Sequence, residues 1–409
     1  MLELKGKYTT AKIYAEKVEE GVISQVKELL NHPMFKDEHI RVMADTHAGK
    51  GCVIGLTSTN KNKVIIPNII GVDIGCAMLS INLGNIDIDL RELDDFITNE
   101  IPSGFNTNKI FRGEYLSKDF LNEVKRISNT TKSDYNRHLL SLGSLGGGNH
   151  FHELALDKHK NKWLIIHSGS RNFGLQVAKY HQKIAEEYCK NMVKDLGSEK
   201  NKTIEVWKQD NKNLSSNEFQ QYISSMAESI SKYKVSKDLS FLENKLADDY
   251  IEDMEVATKF AHHSRKIMAD RIIKFLNAKP ITEFETMHNY YDGKIIRKGA
   301  VSAKLGEKIL IPINMKDGSI LAIGKGDVEY NNSAPHGAGR LMSRTKAKKE
   351  LNMKDFKESM EGVFTTSVTD STLDEAPLSY KPIEEILNNI NDTVEVLDIL
   401  KPIYNFKAH

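Results

Sequence analysis

Glycine in this chain is gathered with histidine, aspartate, serine and arginine into a few short blocks. They read "MADTHAGKGCVIG", "GVDIGCAM", "SLGSLGGGNHFHEL", "LIIHSGSRNFG", "MHNYYDG", "RKGAVSA" and "SAPHGAGRLMSR". Several follow apolar, β-branched runs. "KVIIPNIIGVDIG", "KWLIIHSGS" and "KILIPINM" read as buried strands that end in turns. Polar, glycine-rich strand ends are where sites are built on mixed folds. From about Leu175 to Leu276 the texture becomes helical: "LQVAKYHQKIAEEYCKNMVKDL" and "LADDYIEDMEVATKFAHHSRKIMADRIIKFL" repeat apolar residues at helical spacing. A polar segment, "GSEKNKTIEVWKQDNKNLSSNEF", separates them. The expected architecture is α+β, one domain over 1–409 with a helical lobe inserted at 175–276.

Composition narrows the function classes. Lys and Arg number 57 against 56 Asp and Glu, so no global charge excess points to nucleic acid or an anionic membrane. A local basic groove would still serve a nucleic acid. Three cysteines are too few for a disulfide framework. No apolar run is long enough to span a bilayer, and the N-terminus lacks a signal-like apolar core. The expectation is a reduced, soluble, cytoplasmic protein with no membrane partner.

Five residues in the blocks are metal-donor types: Asp73 and Cys76 in "GVDIGC", His150 in "GGGNHFHE", His167 in "IIHSGSR" and His288 in "MHNYY". A carboxylate, a thiolate and three imidazoles suit a borderline divalent ion such as Mn, Zn, Co or Ni. Five donors exceed what one tetrahedral ion needs, and a thiolate can bridge two ions. Taken singly, each residue has a plainer reading. A lone cysteine on an apolar run is more often a small buried hydrophobe. Asp73 can simply close a turn, and a histidine after a strand can be a satisfied core residue. The shared glycine-rich setting favours the ligand reading, with Asn149 and Asn289 directly beside two of the histidines.

A second element is "SAPHGAGRLMSRTKAKKE". His336 precedes a Gly-Ala-Gly turn that reads as a helix start. Such a start binds anions, and Arg340 and Arg344, four apart on one helical face, would clamp phosphates. Neutral imidazole is also a competent nucleophile towards phosphorus. The alternative is a histidine that only caps a turn. In "HSGSRNFG", Ser168, Ser170 and Arg171 suit a phosphate or a nucleic-acid end. "SLGGGNHFHEL" is glycine-rich like a P-loop but lacks its Lys-Ser/Thr.

Together and in this order, "GVDIGC", "GGNHFHE", "HSGSR", "HN", "RKGA" and "HGAGRLMSR" resemble the RtcB family of RNA ligases. The resemblance runs from "DTHAGKGCVIG" to "KPIYNFKA". It implies central β-sheets around a binuclear metal cleft, two Mn²⁺ ions and GTP. It implies joining of an RNA 3′-phosphate or 2′,3′-cyclic phosphate to a 5′-hydroxyl, in RNA repair or tRNA splicing, with an accessory activating protein as a possible partner. Position by position it implies Asp73, Cys76, His150, His167 and His288 as metal ligands, with Cys76 bridging, and His336 as the guanylylated nucleophile. It implies nucleotide contacts from Asn149, Glu153, Arg171, Ser319, Gly337, Ala338, Gly339, Arg340, Tyr380 and Lys407. Glu153 would read guanine.

The chain departs from the family pattern at Val72 and Ala77, in "AHHSR" of the helical region, and in "IPINMKDGSILAIGKG" where relatives carry Pro-Gly-Ser-Met-Gly-Thr. This marks a divergent branch, and the loop 313–326 is expected to alter nucleotide use through Lys316 and Asp317. Two other readings keep parts of the pattern: a metal-dependent RNA end-processing phosphodiesterase, and a non-catalytic RNA-binding relative.

Overall fold

The computed structural model describes residues 1–210 and 216–408; residues 211–215 of the polar segment lie outside the described residues. Its largest sheet has seven antiparallel strands in the order Lys308–Asn314, Gly318–Gly324, Val394–Lys407, Phe151–Leu156, Lys162–Ser168, Ala77–Gly84, Thr282–Met287. Side chains alternate across a strand. Leu79, Ile81 and Leu83 face one core with Ile166 and with Met268 and Ile272 of the helix Lys245–Phe275. Met78 faces the other core with Ile165, Leu310, Leu321 and Leu400. That inner core joins strands from both halves of the sheet. The two edge strands meet where the Leu310 amide donates to the Thr286 hydroxyl at 3.0 Å. The sheet is therefore curled nearly into a barrel.

The register decides where the chemistry lies. Ala77 is opposite both Ser168 and Met287, Phe151 is opposite His167, and Lys407 is opposite Phe151. The ends of five strands, with the residues that flank them, thus collect at one mouth of the barrel. The Asn314–Gly318 turn, between the strands Lys308–Asn314 and Gly318–Gly324, lies at the same end.

A six-stranded sheet forms the facing wall, in the order Leu2–Lys5, Thr10–Ile13, Ile40–His47, Ile54–Thr59, Ile295–Lys298, Asn289–Tyr291. Its one parallel pairing is Thr10–Ile13 with Ile40–His47. A short ribbon, Ala300–Ser302 with Ser333–Pro335, delivers His336.

The helical region holds Arg171–Asp210, Ser216–Tyr233 and Lys245–Phe275. The first begins at Arg171, directly after the "HSGS" strand end. Lys245–Phe275 packs along the barrel. Its fully buried Arg265 donates to the carbonyls of Gly75 at 2.9 Å and Ser168 at 2.6 Å, and pairs with Glu285 at 2.9 Å. One helical side chain thereby ties two strand ends together. No helix among the described residues is long and apolar enough to cross a membrane.

Two local expectations change. "KVIIPNIIGVDIG" is not one strand: Pro67–Ile70 forms a short helix, since proline at its first position pre-sets the helical φ. "HGAGR" is not a helix start: the helix begins at Arg344, capped by the Ser343 hydroxyl. Arg340 instead bridges to Tyr380 in extended backbone. Arg340 and Arg344 therefore do not share a helical face.

Candidate metal and nucleotide site

The five donor residues converge at the barrel mouth. Cys76 Sγ lies 3.3 Å from His167 Nε2 and 3.5 Å from His150 Nε2. His150 Nε2 is 2.9 Å from Asp73 Oδ2. The donor atoms form two groups, Cys76–His167–His288 and Asp73–Cys76–His150, each within 4.8 Å, and Cys76 belongs to both.

Backbone carbonyls orient two of the rings. His150 Nδ1 is 3.0 Å from the Leu145 oxygen, and His167 Nδ1 is 3.2 Å from the Asn149 oxygen. A carbonyl only accepts, so each Nδ1 donates; the Nε2 of His167 faces Cys76, and that of His150 faces the Asp73 carboxylate. His288 is buried with an Nδ1 that has no partner, its ring 5.3 Å from His167 and 5.0 Å from His336.

The glycines beside the cluster have separate reasons. Gly75 adopts φ +68°, and a side chain there would lie 2.8 Å from Thr258 Cα of the packed helix. Its close approach is to that helix. At Gly169, a side chain would run into the Asp73 carboxylate.

Burial and the neighbouring Asp73 charge push the Cys76 thiol well above its usual range. Burial holds His167 and His288 well below theirs, helped by the charge of His150 and His336 respectively. Burial would lift Asp73 too, but hydrogen bonding and charge from His150 outweigh it and hold the carboxyl at about 2. Neutral imidazoles, a carboxylate and a thiol able to shed its proton are the donor set that borderline divalent ions take.

His336 stands opposite the cluster. Its Nδ1 is 2.6 Å from Asp45 Oδ2, which also accepts the amides of His336 at 3.0 Å and Gly337 at 3.2 Å. Asp45 is fully buried. It lies in the stretch between Val42 and His47 where the pairing with Ile54–Thr59 shifts register. Gly339, at φ +73°, passes too close to the Asp45 backbone for any side chain. Asp45 lies in the block "MADTHAGKGCVIG", but nothing local points to its partner, 291 residues away.

A third cluster surrounds Glu375, also absent from the sequence reading. Its carboxylate takes Arg340 at 3.3 Å, Arg344 at 2.9 Å, the Tyr380 hydroxyl at 2.7 Å and Lys407 at 2.5 Å. Burial would raise it, but Lys407 and Arg344 hold it at about 2. The Arg340 guanidinium also lies over the Tyr380 ring at 5.0 Å. So Arg340 and Arg344 meet at one carboxylate.

Among these groups lies one cavity of about 280 Å³. Asp73, Cys76, Asn149, Glu153, His167, His288, His336, Gly337, Ala338, Gly339, Arg340, Tyr380 and Lys407 all face it, as does His47, which the sequence reading did not single out. His150 stands behind Asp73 and Cys76.

Other expected contacts lie elsewhere. Arg171 does not line this cavity: it donates to the Gly104 carbonyl at 2.8 Å and approaches the Ser144 hydroxyl at 3.2 Å. Ser168 donates to the Leu145 carbonyl, while Ser170 is fully buried beside Gly174. Ser319 lies one residue past the cavity wall, its buried hydroxyl without a partner. The span 313–326 is mostly a β-hairpin, and its tip turns Lys316 and Asp317 away from the cavity. Lys316 donates to the Glu361 carbonyl, and Asp317 accepts from Asn314 at 2.7 Å.

A family model described as tRNA-splicing ligase RtcB matches residues 25–408. The RNA-splicing ligase RtcB of Escherichia coli K12 is 28% identical over 91% of this chain and 91% of its own length. RNA-splicing ligase RtcB1 of another Escherichia coli strain is 28% identical with the same coverage. The tRNA-splicing ligase RtcB of Nanoarchaeum equitans is 27% identical over 93% of this chain and 90% of its own.

Proposed function

This chain belongs to the RtcB family, and from that premise we propose that it is an RNA ligase that uses GTP and two Mn²⁺ ions to join a 3′-phosphate or 2′,3′-cyclic phosphate end to a 5′-hydroxyl. The observation that carries this reading is His336: an imidazole with one nitrogen held by a buried carboxylate, in one cavity with a Cys-His-Asp donor cluster. We propose the whole chain as a single catalytic unit, with the helices between 175 and 276 as a lobe on it.

The mechanism follows from what each residue can do. Asp45 accepts the Nδ1 proton of His336, so the Nε2 lone pair is free to attack. His336 Nε2 would bond to the α-phosphorus of GTP, the α–β phosphoanhydride bond would break, and pyrophosphate would leave. An oxygen of the RNA 3′-phosphate would then take the guanylate, restoring the imidazole. The 5′-hydroxyl oxygen would attack that 3′-phosphate, losing its proton and expelling GMP. Asp73, Cys76, His150, His167 and His288 would hold the divalent ions, which when bound neutralise phosphate charge. Arg340 and Lys407, pre-set on Glu375, would hold nucleotide oxygens in place.

Glu153 supports guanine as the base. It is buried, Asn405 donates to one carboxylate oxygen at 2.9 Å, and the other has no partner. Burial lifts its carboxyl to about 8, against the pull of Asn405 and Lys407. Guanine presents two adjacent N–H donors, which suit an ionised carboxylate. Binding GTP then releases the Glu153 proton. At subsaturating GTP, adduct formation is expected to fall about tenfold per pH unit below that value, as one required ionisation dictates. Glu153→Gln should remove that slope and weaken discrimination against ATP; an unchanged pH profile would assign base reading elsewhere.

The deciding experiment is incubation with α-labelled GTP and Mn²⁺, then a denaturing gel. Label is expected on the wild-type chain, lost in acid and kept in base as a phosphorus–nitrogen bond behaves, and absent from His336→Ala. A phosphodiesterase or a non-catalytic RNA binder would take no label. Label persisting in His336→Ala would place the nucleophile elsewhere.

A further inference from the structure

We propose that a groove beside the catalytic cavity seats single-stranded RNA, with Phe105 as the platform on which one base stacks; this rests on the RNA-ligase reading and gives the RNA its path. Phe105 is 94% exposed, the most exposed large aromatic side chain among the described residues. It forms part of the wall of a groove of about 970 Å³ on one side and of a second recess on the other. Arg344 lines both that groove and the catalytic cavity, so the two adjoin at this residue.

The charge beside Phe105 suits a polyanion. Arg344 and Lys348 are neutralised by Asp374. Arg137, Lys349 and Lys109 are exposed and have no acidic partner among the described residues, and they flank Phe105 in the groove and the recess. The near-neutral whole chain makes this local excess the available route to RNA affinity. An aromatic face among unpaired cations is how sequence-tolerant single-strand sites are built.

The loop that presents Phe105 is fixed in place. The Gly104 amide donates to the Gly146 carbonyl at 2.8 Å, and the Leu145 amide donates to Pro102 at 2.8 Å. Gly104 takes φ +62°, and the Arg171 guanidinium holds its carbonyl. The Leu145 carbonyl at this anchor is the one that orients His150. Phe105 is thus presented on the same wall as the donor cluster, and Arg171, outside the nucleotide cavity, acts as its positioning residue.

The test is direct binding of a fluorescent 5′-hydroxyl single-stranded oligoribonucleotide to the full chain. Phe105→Ala is expected to weaken binding about tenfold, as loss of one stacked base does. Phe105→Trp should restore affinity, and RNA should quench the introduced indole. Arg137→Ala with Lys349→Ala should flatten the slope of log affinity against log salt by about 1.4, at about 0.7 per single-strand phosphate contact. Adduct formation from GTP needs no RNA and serves as the folding control. If Phe105→Ala binds RNA as tightly as wild type, or loses adduct formation in parallel, the groove assignment falls. A chain that takes the guanylate but binds RNA independently of Phe105 sinks the groove and leaves the ligase reading intact. A chain that takes no guanylate yet binds RNA through Phe105 does the reverse.

Discussion

Asp45→Asn is expected to slow transfer of labelled guanylate from GTP to His336 by about 10²- to 10³-fold, the range for losing one pre-set electrostatic stabiliser. Asp45 Oδ2 accepts three hydrogen bonds, from His336 Nδ1 and from the His336 and Gly337 amides, while the buried Oδ1 has no partner. An asparagine that keeps its oxygen at the Oδ2 position retains these bonds and the Nδ1–H tautomer. It loses the negative charge that offsets the positive charge the ring gains as Nε2 bonds to phosphorus. Raising the pH should not rescue the variant, because the asparagine carries no charge at any pH. Quenched-flow measurement of adduct formation across pH checks this. A loss below about tenfold, or recovery at high pH, would show that Asp45 only packs against the turn.

Cys76→Ala is expected to abolish binding of both Mn²⁺ equivalents, while His288→Ala and His150→Ala each lose one. Cys76 is the shared member of the two donor groups, whereas His288 and His150 each belong to one. The loss of a single buried sulfur should cost the fold only about 1 kcal/mol, within the range of small core truncations. Because burial and Asp73 raise the thiol, cation binding must displace its proton, so occupancy should fall as pH drops. Equilibrium dialysis with metal analysis, alongside thermal unfolding, separates the two effects. Two equivalents retained by Cys76→Ala would end the bridging assignment.

What could be read from the chain and what could not divide along a physical line. The donor residues announced themselves because each sits in a glycine-rich block at the end of an apolar run. Strand, turn and donor are neighbours in sequence, and their pattern is local. His336 was legible for the same reason, as was the α+β class, from short apolar, β-branched runs set against long stretches of helical period. The partners that set their chemistry were not. Asp45 lies in a flagged block but bonds to a residue 291 positions on. Glu375 gathers four side chains from "HGAGRLMSR", "LSYKP" and the C-terminal strand, and a carboxylate's partners leave no trace in its own neighbourhood.

Where particular side chains point has the same origin. Arg340 and Arg344 are spaced for one helical face, yet the helix waits for the Ser343 cap, and a common acid brings them together. Arg171 follows a donor histidine by four residues, but the loop at Gly104 claims its guanidinium. Lys316 and Asp317 lie between two cavity-lining stretches, but the hairpin turn points them outward to Glu361 and Asn314. The sequence by itself determined the donor types, the nucleophile candidate and the strand ends that carry them, because covalent neighbours and backbone period encode those directly. Only the tertiary structure decided that five strand ends meet at one barrel mouth, that Cys76 is shared, and that Asp45 selects the tautomer of His336. Those outcomes depend on sheet register and on hydrogen bonds between residues hundreds of positions apart, which local pattern does not record.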